Sequence, residues 1–444
     1  MVGVPASSAA GASTPPTLIV GAPLHAKVPT GFVGLAVEAQ HLGDAVDDPA
    51  ISNLPSYLAQ LGAGSIRFAG SSADESTLFE KQGSNPLPRW AKRAITPASL
   101  TTVGSLAAAL GATWKVDLAV NLYHLDPTRA AAEVAAARAA LGSSLGEVSI
   151  GNEPELYTYM YPRPVSYPQY LAGWSATRRA ISARVPQVPI GGPDFYLRSW
   201  FSLYTSTARA GLGSLGTFDQ HFYPFSDCAG HGVTAAQLLG NDAINREDVM
   251  IRDSRAIASL AGIPTSFDEF NSVSCGSSAP VQREQASALW GVHALLEAAR
   301  RGIATVDVQT NLENCATYTP LCLMNAADPS SVTPHPLWRA MQLVAGLEGA
   351  TFRQLDGPLP VGISAYALSK GASTSIVVTN GTAPDLTGLA IGGLGAVHVA
   401  SIETMGTGDV TSSSDPGLTT TPSSGDPTGL VAAAGTTSVF VLSS

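Results

Sequence analysis

Continuous apolar runs of six to nine residues recur along the first three quarters of the chain. They do not alternate with polar positions, and such runs are typical of strands that are buried on both faces. The eight runs are FVGLAVE (32–38), GSIRFAG (64–70), TWKVDLAVN (113–121), EVSIGN (147–152), VPIGGPD (188–194), GTFDQHFY (216–223), PTSFDEF (264–270) and ATVDVQTN (304–311).

Helical patterns lie between these runs. DPTRAAAEVAAARAAL opens with an Asp cap and a Pro at the first helical position, and VQREQASALWGVHALLEAARRG ends in basic residues and a Gly. Eight strands that alternate with helices over about 300 residues predict a (β/α)8 TIM barrel, an α/β fold. A doubly wound open sheet is the alternative, but no GxGxxG follows the first strand.

The composition changes near the end of the chain. No Lys or Arg follows Lys370, and short β-type runs separated by turn signals follow instead. They predict a C-terminal β-sandwich. We therefore expect a flexible leader at 1–15, one or two N-terminal strands at 16–30 that join the sandwich, a catalytic barrel at 31–346 and a β-sandwich domain at 347–444.

Charge and composition exclude several classes of partner. The formal net charge is −10 and no basic block occurs, which argues against nucleic acid and against strongly sulfated polymers. No run of about 20 apolar residues is long enough to span a membrane. Charged residues make up only 13% of the chain, which favours an exported protein over a cytosolic one.

The N-terminus and the cysteines also favour an exported protein. The start, MVGVPASSAAGASTPP, reads as a leader left after removal of a signal peptide, so we expect a secreted or periplasmic protein. We also expect a monomer. The four cysteines permit the disulfides Cys228–Cys275 and Cys315–Cys322, with four free thiols as the alternative. Their spacing does not match a metal site, and we expect no metal and no cofactor.

Two glutamates stand at the ends of predicted strands in apolar surroundings. Glu153 follows the fourth run and Glu269 ends the seventh. Catalytic groups of TIM barrels project from the C-terminal strand ends, and strands four and seven face each other across the mouth. One acid after a strand is usually a turn residue. Two carboxylates about 5 Å apart form the catalytic pair of a retaining glycosidase.

Neighbouring residues divide the roles of this pair. Asn152 precedes Glu153 and can bond the sugar hydroxyl next to the reacting carbon, so Glu153 would be the proton donor, with a raised pKa. Glu269 would be the nucleophile, and Tyr223 could donate its hydroxyl to it. His221 and Tyr223 could instead serve only as packing at the barrel mouth.

Two further charged residues have structural explanations. Asp268 precedes Glu269 and should point to the opposite face of the strand, because successive strand residues alternate. Arg67, on the second strand, is as readily a buried ion-pair partner as a substrate contact.

The order of several motifs resembles glycoside hydrolase family 79, which contains retaining β-glucuronidases and heparanase. Asn-Glu-Pro alone indicates only the wider clan of barrel glycosidases, whereas the succession of motifs indicates the family and covers nearly the whole chain. The motifs are FVGLAVEAQHL, SIRFAGSSAD, SIGNEPELY, DQHFYPF, DEFNSVSCG and NCATYTPL followed by PHPLWRAMQLVAG.

The resemblance implies a role for each matching residue. Glu153 becomes the acid/base, Glu269 the nucleophile and Tyr223 the tyrosine that steadies it. Backbone amides at Cys275 and Gly276, together with the hydroxyl of Tyr318, would hold the glucuronate carboxylate. Two first-strand residues that match sugar-hydroxyl contacts of the family are Glu38 and Gln40.

Departures from heparanase narrow the implied activity. Heparanase has Asp and Asn at the positions of Glu38 and Gln40, a Thr-Lys pair at Ser71 and Ser72, and Gly at Cys275. Loss of the lysine removes a sulfate contact. We therefore expect an exo-acting β-glucuronidase on a glucuronic-acid-containing glycan or glucuronide. The alternatives are a heparanase-like endo-β-glucuronidase, another retaining β-glycosidase of the clan, and a non-catalytic sugar-binding barrel.

Overall fold

The structure is a computed structural model with side chains. It describes residues 16–81, 86–159, 161–209, 215–275, 280–313, 315–318, 320–381 and 384–443. The first strand, β1 (Thr17–Lys27), belongs to the C-terminal sheet, and eight of the strands that follow form a parallel sheet of their own. These eight are β2 (Val33–Glu38), β3 (Gly64–Ala69), β4 (Trp114–Val120), β5 (Leu145–Ile150), β6 (Pro193–Phe195), β7 (Phe218–Phe222), β8 (Thr265–Phe270) and β9 (Val306–Gln309).

The parallel sheet closes into a barrel. Its strands pair in the order β5-β4-β3-β2-β9-β8-β7-β6. The remaining gap closes just before β6, where Val148 N–H donates to Pro189 O at 3.0 Å and Gly191 N–H donates to Val148 O at 3.1 Å. The predicted (β/α)8 barrel is confirmed.

The fifth strand is shorter than its apolar run. Only Pro193–Phe195 is regular strand, although the run 188–194 was expected to form it. Proline has no N–H for the ladder. Gly191 lies so close to Glu147 that an added Cβ would overlap its carboxylate oxygen. The segment before β6 therefore forms part of the barrel wall with irregular backbone.

The helices surround the barrel and begin at recognisable caps. Asp126 accepts the Arg129 N–H at 3.0 Å, with Pro127 at the first position of α4, as its sequence predicts. The helices are α1 (Leu54–Leu58), α2 (Ser72–Glu75), α3 (Pro97–Leu110), α4 (Pro127–Leu141), α5 (Tyr167–Arg184), α6 (Phe201–Arg209), α7 (Ala235–Leu238), α8 (Asn241–Ala261), α9 (Gln285–Arg300) and α10 (Pro336–Gly346). None of the helices described here is long and apolar enough to cross a membrane.

Short strand pairs are formed in the segments between barrel elements. They are Thr77–Phe79 with Arg93–Ile95, Phe225–Ser226 with Val273–Ser274, and Leu321–Leu323 with Val332–Pro334. The second pair joins the segments that follow β7 and β8, and thereby holds two sides of the barrel mouth together.

Helix α9 is buried along nearly all of its length because it lies between the barrel and the C-terminal sheet. Trp290 on α9 stacks on Phe270 of β8, with ring centroids 4.8 Å apart. Such an aromatic pair contributes about 0.5–1.5 kcal/mol beyond the burial of its area. The packing anchors the end of β8, the strand that carries Glu269.

The C-terminal sheet forms a β-rich sandwich domain with its own apolar core, which includes Leu18, Ile376, Val378, Leu389 and Phe440. Its nine strands pair in the order β15-β14-β17-β12-β11-β10-β1-β13-β16. Besides β1 they are β10 (Thr351–Asp356), β11 (Ile363–Lys370), β12 (Ser373–Asn380), β13 (Leu386–Gly392), β14 (His398–Met405), β15 (Thr419–Gly425), β16 (Leu430–Ala432) and β17 (Thr436–Ser443).

Candidate active site

Glu153 is held in a sharp turn directly after β5. Gly151 and Glu153 both have left-handed backbone, with φ of 85° and 46°. A non-glycine residue with positive φ is uncommon and is strained unless its surroundings hold it. Here Glu153 N–H donates to Asp194 O at 2.9 Å, and Gly151 N–H donates to Val120 O at 3.0 Å. The turn therefore fixes where the Glu153 side chain begins.

Asp74, which the sequence analysis did not identify, holds the same turn. Its Oδ2 accepts the Asn152 N–H at 2.8 Å and the Tyr157 hydroxyl, and its Oδ1 accepts the N–H groups of Leu122 at 2.7 Å and Tyr123 at 2.9 Å. Asp74 is fully buried, and burial raises its pKa. It ties the segments after β3, β4 and β5 into one unit.

Glu269 faces Glu153 across the mouth of the barrel. The Tyr223 hydroxyl donates to Glu269 Oε1 at 2.7 Å. A carboxylate oxygen of Glu153 lies within 4.8 Å of a carboxylate oxygen of Glu269. Retaining glycosidases have catalytic carboxyl groups about 5–5.5 Å apart, whereas inverting ones need about 6.5–9.5 Å. The spacing of this pair fits retention.

His221 lies between the two carboxylates. Its Nδ1 is 2.9 Å from Glu153 Oε1 and 3.7 Å from Glu269 Oε2. Burial alone would lower the pKa of His221, but the carboxylates of Glu269 and Asp268 raise it well above its usual value. The pKa of Glu153 is raised by burial, although the contact with His221 opposes the shift. Glu153 therefore retains its proton at a higher pH than an ordinary glutamate.

Arg67 joins both halves of the site through buried contacts. Its Nη2 donates to Asp194 Oδ2 at 2.8 Å and to Asn152 Oδ1 at 3.2 Å, and its Nη1 is 3.4 Å from Glu269 Oε2. Its Nε lies 2.8 Å from Asp268 Oδ2, an ion pair that lacks the alignment of a hydrogen bond. Arg67 thus has the structural role that the sequence allowed, and it also contacts the candidate nucleophile.

The expectation for Asp268 was wrong. Asp268 and Glu269 both contact Arg67 inside the barrel, instead of pointing to opposite faces of β8. The cause is a bulge in β8, because Phe267 pairs with Val306 whereas Phe270 pairs with Val308. One extra residue in the bulged strand re-aims a side chain. Burial would raise the pKa of Asp268, but Arg67 and His221 lower it.

The buried Arg67 network yields a prediction for stability. Arg67→Met is expected to lower the free energy of unfolding by about 3–5 kcal/mol, because it leaves Asp194 and Asp268 buried without their cation. Urea unfolding at pH 7 measures the change. Arg184→Met, an exposed arginine at the end of α5, is the control and should stay within about 0.5 kcal/mol of the wild type. A loss below about 1 kcal/mol for Arg67→Met contradicts the account of the network.

Asn152 is oriented by Arg67. Arginine can only donate hydrogen bonds, so the amide atom of Asn152 that Arg67 contacts must be the oxygen. The NH2 group of the Asn152 amide therefore points away from Arg67. That NH2 group makes no hydrogen bond to another described residue and can donate to a ligand. Asn152 is buried beside Glu153, and its contact with the sugar hydroxyl next to the reacting carbon stays a prediction.

Glu38 and Gln40 lie at the end of β2, on the same mouth. Glu38 Oε2 accepts the Ser72 N–H at 2.9 Å. Burial, followed by the charge of Glu269, raises the pKa of Glu38 to about 7. The Gln40 side-chain nitrogen is 3.2 Å from His41 Nε2, so a partner within the protein already positions this amide.

The residues expected to hold a carboxylate meet in the segments that follow β8 and β9. The Cys275 N–H donates to the Tyr318 hydroxyl at 2.7 Å, and the ring of Tyr318 lies 6.0 Å from that of Tyr223. Burial, followed by the charge of Glu269, raises the pKa of Tyr318, so its hydroxyl keeps a proton to donate. Gly276 lies outside the described residues.

Both disulfides form with the predicted pairing. Cys228–Cys275 joins the segments that follow β7 and β8, and Cys315–Cys322 closes the loop that carries Tyr318. Cys275 and Tyr318 both have left-handed backbone, with φ of 55° and 51°. The two cross-links therefore restrain the segments that bring the Cys275 N–H and the Tyr318 hydroxyl together.

Comparison with known proteins shows which solved structures share this fold. A 4-O-α-L-rhamnosyl-β-D-glucuronidase from Fusarium oxysporum 12S, in complex with Rha-GlcA, matches with a TM-score of 0.76 and 17% identity over 96% of this chain and 100% of the other. A family 51 α-L-arabinofuranosidase from Bifidobacterium longum matches with a TM-score of 0.70 and 14% identity over 98% and 100%. A GH39 enzyme from Xanthomonas axonopodis pv. citri matches with a TM-score of 0.63 and 16% identity over 97% and 98%. No protein-family model and no curated protein sequence matches the chain.

Proposed function

We propose that this protein is a retaining exo-β-glucuronidase that releases terminal β-linked glucuronic acid and resembles glycoside hydrolase family 79. The observation that carries the proposal is the spacing of the Glu153 and Glu269 carboxylate oxygens, within 4.8 Å of each other at the C-terminal end of a (β/α)8 barrel. The fold that the chain shares with a rhamnosyl-glucuronidase and other glycoside hydrolases supports a glycosidase.

The proposed reaction proceeds in two displacements. Glu153 donates its proton to the leaving oxygen while Glu269 attacks C1 from the opposite face, which forms a glucuronyl ester on Glu269. Glu153 then removes a proton from water, which attacks C1 and frees Glu269 with net retention. Tyr223 and Arg67 hold the Glu269 carboxylate in place, and Asn152 is available for the hydroxyl next to C1.

The proposed choice of glucuronate rests on the donors around Tyr318. The Tyr318 hydroxyl accepts from Cys275 N–H, so its own proton points to another acceptor, and a substrate carboxylate supplies one. A neutral sugar has no anion for this hydroxyl proton. The complex of the Fusarium enzyme with Rha-GlcA is consistent with a substrate that contains glucuronic acid. Two disulfides fit an oxidising compartment, so we also propose that the protein is exported.

A panel of 4-nitrophenyl glycosides tests the proposed specificity. The β-glucuronide is expected to have a kcat/KM at least about 100-fold above those of the β-glucoside, the β-xyloside and the α-L-arabinofuranoside, because they lack the carboxylate. Tyr318→Phe should lower kcat/KM for the β-glucuronide by about 10-fold or more, mainly through KM. If the wild-type enzyme prefers one of the other glycosides, the proposed specificity for β-glucuronides is wrong.

The raised pKa of Glu153 predicts how activity depends on pH. Glu153 acts in its protonated form, so kcat/KM should fall as the pH rises through its elevated pKa. Glu38, whose pKa is about 7, is the competing source of a basic limb. We expect Glu38→Gln to keep the limb and Glu153→Gln to lose it, measured with phenyl β-glucuronide, whose poor leaving group needs the proton. The opposite pattern assigns the titrating proton to Glu38.

A further inference from the structure

His41 is a buried histidine just past the end of β2, and its ring lies between two separate segments of the chain. Its Nε2 is 3.2 Å from the side-chain nitrogen of Gln40. Its Nδ1 is 2.9 Å from Asp44 Oδ2 and 3.4 Å from Glu313 Oε1. One imidazole therefore connects the segment after β2 with the segment after β9.

Glu313 belongs to the segment that carries Tyr318, and Asn311 joins the two residues. The Glu313 N–H donates to Asn311 Oδ1 at 3.1 Å, and the Asn311 N–H donates to Tyr318 O at 2.9 Å. A force on the Glu313 side chain therefore acts on the backbone of Tyr318. The hydroxyl of Tyr318 is the group that the proposed function assigns to the glucuronate carboxylate.

The contact between His41 and Glu313 depends on the charge of the imidazole. Nδ1 directs its hydrogen bond to Asp44, which also pairs with Arg93 at 2.5 Å. The Glu313 oxygen lies at ion-pair distance without the alignment of a hydrogen bond, and Glu313 forms an ion pair with no other residue that the structure describes. A charged ring attracts both carboxylates, whereas a neutral ring keeps only the bond to Asp44.

The surroundings of His41 favour its charged form. Burial lowers the pKa of His41, but the carboxylates of Asp44, Glu313 and Glu38 raise it above its usual value. The charged groups that face the ring come from β2, from the segments after β2 and β9, and, through Asp44, from a short strand, and they are Glu38, Asp44, Asp47, Glu313 and Arg93. The ring is therefore charged below this raised pKa and neutral above it.

Gln40 can satisfy the ring in both states. In the neutral ring Nδ1 keeps its proton for Asp44, and Nε2 accepts from the Gln40 NH2 group. In the charged ring Nε2 also donates, so the Gln40 amide must turn its oxygen towards the ring. Its NH2 group then faces the Ser76 hydroxyl, which is 3.5 Å from the amide oxygen and can accept as well as donate. Protonation therefore leaves no donor of the ring without a partner.

We propose that His41 is a positioning residue for glucuronate: its charged ring clamps the segment of Tyr318 against the end of β2 and releases that segment when it loses its proton. The inference rests on the proposed β-glucuronidase function and adds a pH-dependent control of substrate binding. The clamp acts on binding more than on the chemical step, because His41 reaches the substrate only through Tyr318. The Tyr318 N–H also donates to Gln282 Oε1 at 3.0 Å, so release shifts this tyrosine without freeing it.

The inhibition constant Ki of D-glucuronate, measured against 4-nitrophenyl β-glucuronide, tests the clamp without a chemical step on the inhibitor. The carboxyl group of glucuronate ionises at about pH 3–4, so its charge is constant between about pH 5.5 and about pH 8.5, where histidine titrates. In the wild type Ki should rise with pH across this range. The Glu313 side chain is 58% exposed, so water weakens the ion pair and we expect the clamp to contribute about 3–10-fold to Ki.

Glu313→Gln removes the charge that the clamp needs and leaves the ring in place. The ratio of Ki at about pH 8.5 to Ki at about pH 5.5 should fall by about 3–10-fold in this variant, because Ki rises at the lower pH and stays unchanged at the higher pH. Titration of Glu38 or Glu153 affects wild type and variant alike and cancels in this comparison. Glu75→Gln, an exposed carboxylate on α2, is the control and should keep the wild-type ratio.

The outcomes separate the clamp from the function on which it rests. A ratio in Glu313→Gln equal to that of the wild type overturns the clamp, and so does a variant that changes kcat but not Ki. A wild type that binds glucuronate more tightly as the pH rises overturns it as well. A wild type that neither cleaves the β-glucuronide nor binds glucuronate in titration calorimetry contradicts the proposed function and the clamp together.

Discussion

Glu269→Ala is expected to lower kcat on 4-nitrophenyl β-glucuronide by about 10⁴-fold or more, with the fold retained. The substitution removes the atom that would attack C1, and loss of a catalytic nucleophile has effects of this size or larger. Glu269 lies at the end of β8, which Trp290 anchors, so the strand should keep its place. Initial rates together with a circular dichroism spectrum measure the two effects.

Azide provides a control that separates lost chemistry from lost structure. In Glu269→Ala, azide can enter the space of the missing carboxylate and displace the aryl group from that face, which gives the inverted α-glucuronyl azide. Glu75→Gln, an exposed carboxylate on α2, should keep wild-type turnover. If Glu269→Ala retains more than about one tenth of the wild-type kcat, Glu269 is not the nucleophile.

Glu153→Ala is expected to show a loss that depends on the leaving group. For a disaccharide, whose sugar alcohol needs a proton to depart, kcat/KM should fall by about 10²–10⁴-fold, the usual contribution of general acid catalysis. For 2,4-dinitrophenyl β-glucuronide, whose phenolate leaves without a proton, the loss in kcat/KM should be much smaller. Comparison of kcat/KM for the two substrates measures the effect.

The same variant has a second signature. Azide should attack the glucuronyl ester from the face that Glu153 leaves empty, which gives β-glucuronyl azide and raises kcat. The opposite anomers in the two variants identify which carboxylate stands on which face of the sugar. Equal losses on both substrates, or an α-azide product from Glu153→Ala, contradict its assignment as the acid/base.

The barrel could be predicted from sequence because its strands are buried on both faces and therefore appear as continuous apolar runs. The same signal overestimated the fifth strand. There Pro189 and Pro193 lack an N–H for the ladder, and Gly191 packs against Glu147 too closely for a side chain. An apolar run records burial, whereas the regularity of a strand depends on backbone donors and close contacts.

The rule that functional groups stand at strand ends led from the sequence to Glu153 and Glu269, which the structure brings together. It also applied to Asp194, at the end of the fifth run, where the sequence analysis did not use it. Asp194 bonds Arg67 through its side chain and Glu153 through its backbone oxygen. The position of Asp194 at a strand end could therefore be predicted from the sequence, but its hydrogen-bond partners could not.

Other features of the site depend on long-range contacts that no local pattern carries. The bulge that brings Asp268 and Glu269 to the same side of the strand depends on the pairing of β8 with both neighbouring strands. Asp74 lies on the short helix α2 and collects donors from segments 48 to 83 residues away. A short motif shows neither how two strands are paired nor which distant residues meet. The roles of Asp268 and Asp74 could therefore be seen only in the structure.

The central claim, retaining hydrolysis of a β-glucuronide, is tested most directly by the anomer that the wild-type enzyme releases first. Proton NMR during rapid hydrolysis of 4-nitrophenyl β-glucuronide follows the anomeric signals before mutarotation. The account predicts that β-glucuronic acid appears first and that the α anomer grows in later. Initial release of the α anomer, or no release of glucuronic acid at all, contradicts the account.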